Sequence, residues 1–101
     1  MRPKSVSLTG AGTLVLPVDS YVEGYLVTLD ITGTATCTVS LTNKKVLAGE
    51  TAAWFAISDL ANKATDTYAF VPGGVTAFQL EISAGTGTVE MTVSCAKGEP
   101  V

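Results

Sequence analysis

The feature that most constrains this chain is a strict two-residue alternation of apolar and polar side chains. In Val89-Glu90-Met91-Thr92-Val93-Ser94-Cys95 every odd position is apolar, and Tyr25-Leu26-Val27-Thr28-Leu29-Asp30-Ile31 keeps its odd positions apolar too. Cys37-Thr38-Val39-Ser40-Leu41 and Phe78-Gln79-Leu80-Glu81-Ile82 repeat the pattern. A period of two turns one face of a strand to a core and the other to water, and no helix tolerates it. Strands are expected at Lys4 to Leu8, Thr13 to Leu16, Gly24 to Thr32, Thr36 to Thr42, Thr51 to Ile57, Thr67 to Phe70, Val75 to Ser83 and Gly87 to Ala96. The fold class that follows is all-β, a single antiparallel β-sandwich of about eight strands, jelly-roll or immunoglobulin-like, over residues 1–101. With 101 residues there is no room for a second core.

Small-residue joints separate the strands. Three stretches echo one another: LTGAGTLVL (8–16), DITGTATCTVSL (30–41) and EISAGTGTVEMTVSC (81–95). Each reads as strand, tight turn, strand, and the expectation is a hairpin at each. Val71-Pro72-Gly73-Gly74 marks a fourth turn. Ser58 to Lys63 is expected to make one helical turn capped by Ser58 or Asp59.

Composition narrows the function. The chain is 47% hydrophobic and 15% charged, with a mean hydropathy of +0.39. Either threonine and serine make up most of the solvated surface, or part of the surface is covered by partners. No apolar run reaches the roughly 20 residues that span a bilayer. The N-terminus has no apolar secretory core, so synthesis in a cytoplasm is expected. A net charge of −3 with six basic residues gives no basic stripe for nucleic acid.

No chemistry is legible. The chain has no histidine, so the usual general base is missing. Cys37 and Cys95 have no metal-ligand spacing and are expected to be unlinked thiols. Asp30, Glu81 and Glu90 fall on outward strand positions, where a solvated charge is the ordinary role. Asp59 and Asp66 fit cap and turn chemistry. The expectation is no enzyme, no cofactor and no metal site. Of the aromatics, Phe78 falls on an inward face. Trp54 and Phe55 are adjacent, so in a strand one of them points away from the core. Either they anchor an interface or the loop folds over and buries both. Arg2 and Lys4 put two of the basic charges on an N-terminal arm, Met1 to Ser5. Arg2, Lys4, Trp54 and Phe55 are therefore the candidate partner-interface residues.

The order of the pieces resembles a family. SVSLTGAGTLVLPVDSY, then ITGTATCTVSL, then WFAISDLANKATDTYAFVPGGVTAFQLEISAGTGTVEMTVSC, is similar to short proteins encoded among the structural genes of tailed bacteriophages. Asp59-Leu60-Ala61-Asn62-Lys63-Ala64, Tyr68-Ala69-Phe70 and Val75 through Val93 carry the likeness. The chain departs from it between Thr42 and Ala53, where it is shorter, and at Val71-Pro72-Gly73-Gly74. The resemblance implies a virion structural protein made in the host cytoplasm. The first expectation is a capsid decoration or cement protein, a homo-oligomer that bridges the major capsid protein or other virion proteins. A tail, collar or fibre component is the alternative, and the bare fold also admits a carbohydrate-binding or adhesin module.

Overall fold

A computed structural model describes residues 2–20, 22–44, 48–51 and 53–97. Met1 of the expected N-terminal arm and Ala52 of the strand expected at Thr51 to Ile57 lie outside these residues. The described residues form eight strands: β1 (Lys4–Thr9), β2 (Gly12–Pro17), β3 (Gly24–Thr32), β4 (Ala35–Thr42), β5 (Phe55–Ala56), β6 (Thr67–Pro72), β7 (Ala77–Gly85) and β8 (Thr88–Lys97). They build two four-stranded antiparallel sheets, β1-β8-β3-β6 and β2-β7-β4-β5. The chain changes sheet at every connection except β4 to β5. That is jelly-roll order, which decides between the two sandwich types left open by the alternation.

The three echoed stretches are not hairpins. β1 and β2, β3 and β4, and β7 and β8 each lie in opposite sheets, so the small-residue turns are corners between sheets. The physical reason lies in the flanking faces. Leu29 and Ile31 must point into the same core as Cys37 and Val39, and an arch that folds β4 over β3 achieves this while each strand pairs elsewhere. The arches stand side by side, with β7–β8 in the middle. β8 pairs with β1 and β3, while β7 pairs with β2 and β4. Backbone bonds continue this ladder through the corner: Gly10 N–H donates to Gly87 O (3.0 Å) and Gly87 N–H to Thr34 O (2.8 Å). Three similar segments recur because three adjacent corners share one geometry. Gly87 sits in a tight place within this corner. A Cβ there would lie 2.5 Å from Thr32 O and 2.8 Å from Thr34 N, so only glycine fits.

The alternation sets the core as expected. Tyr25, Val27 and Leu29 of β3, Val39 of β4, Phe78, Leu80 and Ile82 of β7, and Val89, Met91 and Val93 of β8 are buried between the sheets. Tyr25 and Phe78 meet edge to face with ring centroids 5.4 Å apart. The Tyr25 hydroxyl donates to Val75 O (2.9 Å) and is also bonded to Asp19 O, tying two connections together. Burial, with smaller contributions from Asp19 and Cys95, pushes the Tyr25 phenol above its ordinary pKa.

Two local expectations need correction. The strand expected at Thr51 to Ile57 shrinks to Phe55–Ala56. The helical turn is a single 3-10 turn, Ser58–Leu60, whose cap position is Ile57 rather than Ser58 or Asp59, and no side chain caps it. Leu60, fully buried, holds the turn down from the core side, and Leu60 N–H closes it on Ile57 O at 2.9 Å.

Candidate interaction surface

The two long margins of the sandwich differ. Along the β1/β2 margin, Lys4 starts β1, and its ammonium donates to Pro17 O at 3.2 Å, linking the two sheets. Lys4 and Ser5 are therefore strand residues and not part of a loose arm, while Arg2 precedes β1 and is exposed. The β5/β6 margin is closed in part by the 3-10 turn, which packs against β4 and β6, and among the described residues it is open beyond that turn. β5 pairs with β4 through Ser40↔Ala56 and Leu41↔Phe55. Leu41 belongs to the row that packs on the core, so Phe55 lies on the inward row at the rim and stays 60% exposed. Trp54, one position earlier, precedes the strand and is half-buried. Because Trp54 is not in the strand, strand alternation does not apply to it; the loop does not bury both rings, since Phe55 stays exposed. Across the gap stand Val71, Pro72 and Val75. Together with Leu41 and Phe55 they line a cleft of about 300 Å³, to which Asn43 brings a polar side chain.

Two aromatics on the same margin were not singled out as candidates from the sequence. Tyr68 and Phe70 lie on the outer face of β6, exposed by 64% and 68%. Their rings meet edge to face, 6.0 Å apart at 84°. The signal was present: in Thr67-Tyr68-Ala69-Phe70-Val71 the aromatics share one phase, and the other phase holds Ala69 and Val71, which are buried. Tyr68, Phe70 and Phe55 are the exposed aromatics among the described residues, and all three belong to β5 or β6. Arg2 and Lys4 reach the same end of the sandwich as Trp54 and Phe55, since Lys4 meets Pro17 and Pro17 shares a row with Ala77 and Thr42. They stand at the opposite margin, three strand spacings or about 14 Å away, so the four candidates do not form one patch.

The outer face of the β1-β8-β3-β6 sheet is hydroxyl-rich. Ser5 pairs with Thr92 through their hydroxyls (2.8 Å), and Thr9 with Thr88 (2.9 Å). Asp30 stands directly opposite Glu90 on that face. Asp66 is structural: its Oδ1 accepts the Ile31 N–H at 2.7 Å. Among the described residues no three His, Cys, Asp or Glu side chains gather as metal ligands. Cys37 and Cys95 are not joined in a disulfide and lie in opposite sheets, and burial pushes the Cys37 thiol above its ordinary pKa.

No protein-family model and no characterised protein sequence matches the chain. Solved structures do. The Drosophila NLP core, described in terms of pentamer formation and histone binding, is 9% identical with a TM-score of 0.51, over 90% of this chain and 94% of that one. A thiamin pyrophosphokinase family protein from Enterococcus faecalis is 15% identical with a TM-score of 0.49, over 94% of this chain. The match spans 38% of that protein's length. The mitogen of Yersinia pseudotuberculosis is 12% identical with a TM-score of 0.47, over 98% of this chain and 88% of that one. At such identities the NLP core likeness speaks for the sandwich fold alone, and the two weaker likenesses add nothing to it.

Proposed function

We propose that this chain is a tailed-bacteriophage virion structural protein, a head decoration or cement protein that stabilises the capsid by bridging its subunits. It is made in the host cytoplasm and assembles on the outer surface of the head. The observation that carries the reading is the β5/β6 margin. A small jelly roll keeps three aromatic side chains and an apolar cleft uncovered along one edge, with carboxylates and hydroxyls on the sheet face beside it. An exposed aromatic rim around an apolar recess is the anatomy of a protein-docking surface, where a few anchors supply most of the binding energy. Cementing needs only modest affinity per site, because each copy that spans a seam holds two subunits at once and many copies act together. The sequence resemblance supplies the partner, the major capsid protein.

Pelleting of the purified protein with bare capsids tests the proposal. Trp54→Ala with Phe55→Ala is expected to weaken binding at least tenfold, since a truncated aromatic anchor costs about 2 kcal/mol or more, while the thermal melt stays cooperative. A protein that ignores capsids overturns the head assignment.

One observation favours a rival, a carbohydrate-binding role. Tyr68 and Phe70 form an exposed aromatic pair on the same sheet face as Asp30 and Glu90. Sugars stack their C–H faces on flat rings. Rings at 84° offer no common plane, which weighs against a platform spanning two sugar units. Saturable binding in a glycan array, lost in Tyr68→Ala, would move the assignment there.

A further inference from the structure

β6 is a sheet edge whose open side can be read group by group. Among the described residues it pairs only with β3, through Gly24↔Pro72 to Leu29↔Thr67. One step beyond that register, Gly73 N–H donates to Glu23 O at 3.0 Å. Bonded and non-bonded pairs alternate along an antiparallel ladder. Val71, Ala69 and Thr67 therefore turn their backbone groups to β3, and Tyr68, Phe70 and Pro72 turn theirs outward. Pro72, which has no N–H, falls where an edge strand tolerates it. Among the described residues none bonds the outward groups of Tyr68 or Phe70.

The edge is also self-complementary. About Ala69 the sequence is nearly palindromic in type: Thr67 and Val71 are β-branched, and Tyr68 and Phe70 are aromatic. We infer that β6 pairs with β6 of a second copy, antiparallel, about a two-fold axis at Ala69. The inference rests on the proposed role only in that it names the homo-oligomer contact.

In this register Tyr68 faces the partner's Phe70 and Phe70 the partner's Tyr68. Both are bonded pairs, so each N–H meets a C=O and four backbone bonds form. The rings stack in cross-strand aromatic pairs, and the two β1-β8-β3-β6 sheets become one sheet of eight strands. A slip by one position puts Phe70 on Phe70 but sets each Tyr68 against Pro72, which has no N–H to return and no ring to stack. The opposite slip sets Phe70 against Asp66. Only the centred register sets every one of the four rings against another aromatic while each outward N–H of Tyr68 and Phe70 finds a C=O. A second copy is favoured over a foreign peptide strand because the complement of this edge is the edge itself. The strength is bounded by area. Four rings of about 200 Å² each, two-thirds exposed, bury roughly 500 Å², a third of the standard interface of about 1,600 Å². The dimer is therefore weak and fills at high concentration, as on a shell.

Two measurements test it. Sedimentation equilibrium of the unsubstituted protein up to about 0.5 mM is expected to show reversible dimerisation, and Phe70→Lys, a charge on an exposed edge, to weaken it at least tenfold. For register, a Tyr68→Cys chain is mixed with a Phe70→Cys chain under mild oxidation. A bonded antiparallel pair holds Cα atoms about 5.5 Å apart, within disulfide reach. The mixture is expected to yield the mixed disulfide dimer, distinguished by mass, at least tenfold above either chain alone and above the background from Cys37 and Cys95. Both replaced side chains are exposed, so folding is retained. A monomer throughout the concentration range, or linking in either chain alone that equals the mixture, overturns the inference. The function and the contact fail separately: a monomer that pellets with capsids sinks only the contact, and a dimer that ignores them sinks only the decoration role.

Discussion

Replacing Gly87 by alanine probes the corner that organises the sandwich. Gly87 lies in the middle arch, where its N–H binds Thr34 O at 2.8 Å and its C=O accepts from Gly10 N–H at 3.0 Å. An added Cβ would stand 2.5 Å from Thr32 O, 2.8 Å from Thr34 N and 2.9 Å from Thr34 O. All three are backbone atoms, so no side chain can swing away. The middle arch must lift off the β3–β4 arch. Overpacking of this kind costs about 1–3 kcal/mol, and stretching the Gly87–Thr34 bond adds about 1 kcal/mol. The expected loss is about 3 kcal/mol, a large part of a small domain's stability, and it lowers the melting temperature by about 12–20 °C. Gly10→Ala is the control. Gly10 sits at φ +74° with open space around its Cβ position, so it incurs only the left-handed backbone cost of about 1 kcal/mol. Urea unfolding of both variants by circular dichroism gives the comparison. If Gly87→Ala loses no more than Gly10→Ala, the three arches do not pack as described.

Further outcomes are expected. Leu80→Asp unfolds the domain, because Leu80 is fully buried between the sheets and an unpaired buried carboxylate costs several kcal/mol; Glu81→Lys, on the exposed face, stays within about 0.5 kcal/mol by the same melt. Tyr25→Phe strands the carbonyls of Asp19 and Val75 and costs about 1–3 kcal/mol in urea. The Tyr25 phenol and the Cys37 thiol are both raised by burial, so the unfolded chain releases these protons first. Their contribution is whole below the unfolded values of 9.0 and 10.0 and declines as pH rises through the folded ones. Melts between pH 8 and pH 11 should fall on the alkaline side, less steeply in Tyr25→Phe. Thiol titration of denatured, unreduced protein is expected to find both cysteines free, and recovery of none would refute the unlinked assignment.

How far the fold was legible follows from where its information is local. Alternation is local, so Val27 and Leu29, Leu80 and Glu81, Met91 and Thr92 took their faces from sequence, and the β3 bounds agree to the residue. Pairing is not local. A glycine turn between two alternating strands serves a hairpin and an inter-sheet corner alike, and only the neighbour's backbone 2.5 Å from a Gly87 Cβ makes the corner distinct. The same limit applied at the surface. Trp54 and Phe55 drew notice because adjacent aromatics must part in a strand. Tyr68 and Phe70 share the phase opposite Ala69 and Val71, so their outward facing was legible; that their strand is a sheet edge is a fact of strand order. Lys4 was read as a free charge at a chain end, and its bond to Pro17 O depends on β2 lying in the facing sheet.

The proposed decoration role puts many copies of this chain on a phage head. Quantitative mass spectrometry of particles purified from cells that express the chain from its native genome tests it most directly, scaled to the major capsid protein. Copies in the hundreds per particle are expected, on the order of the shell's subunit number, as repeated weak bridging requires. Six or twelve copies would assign the chain to a tail or collar, and particles without it would contradict a virion role altogether.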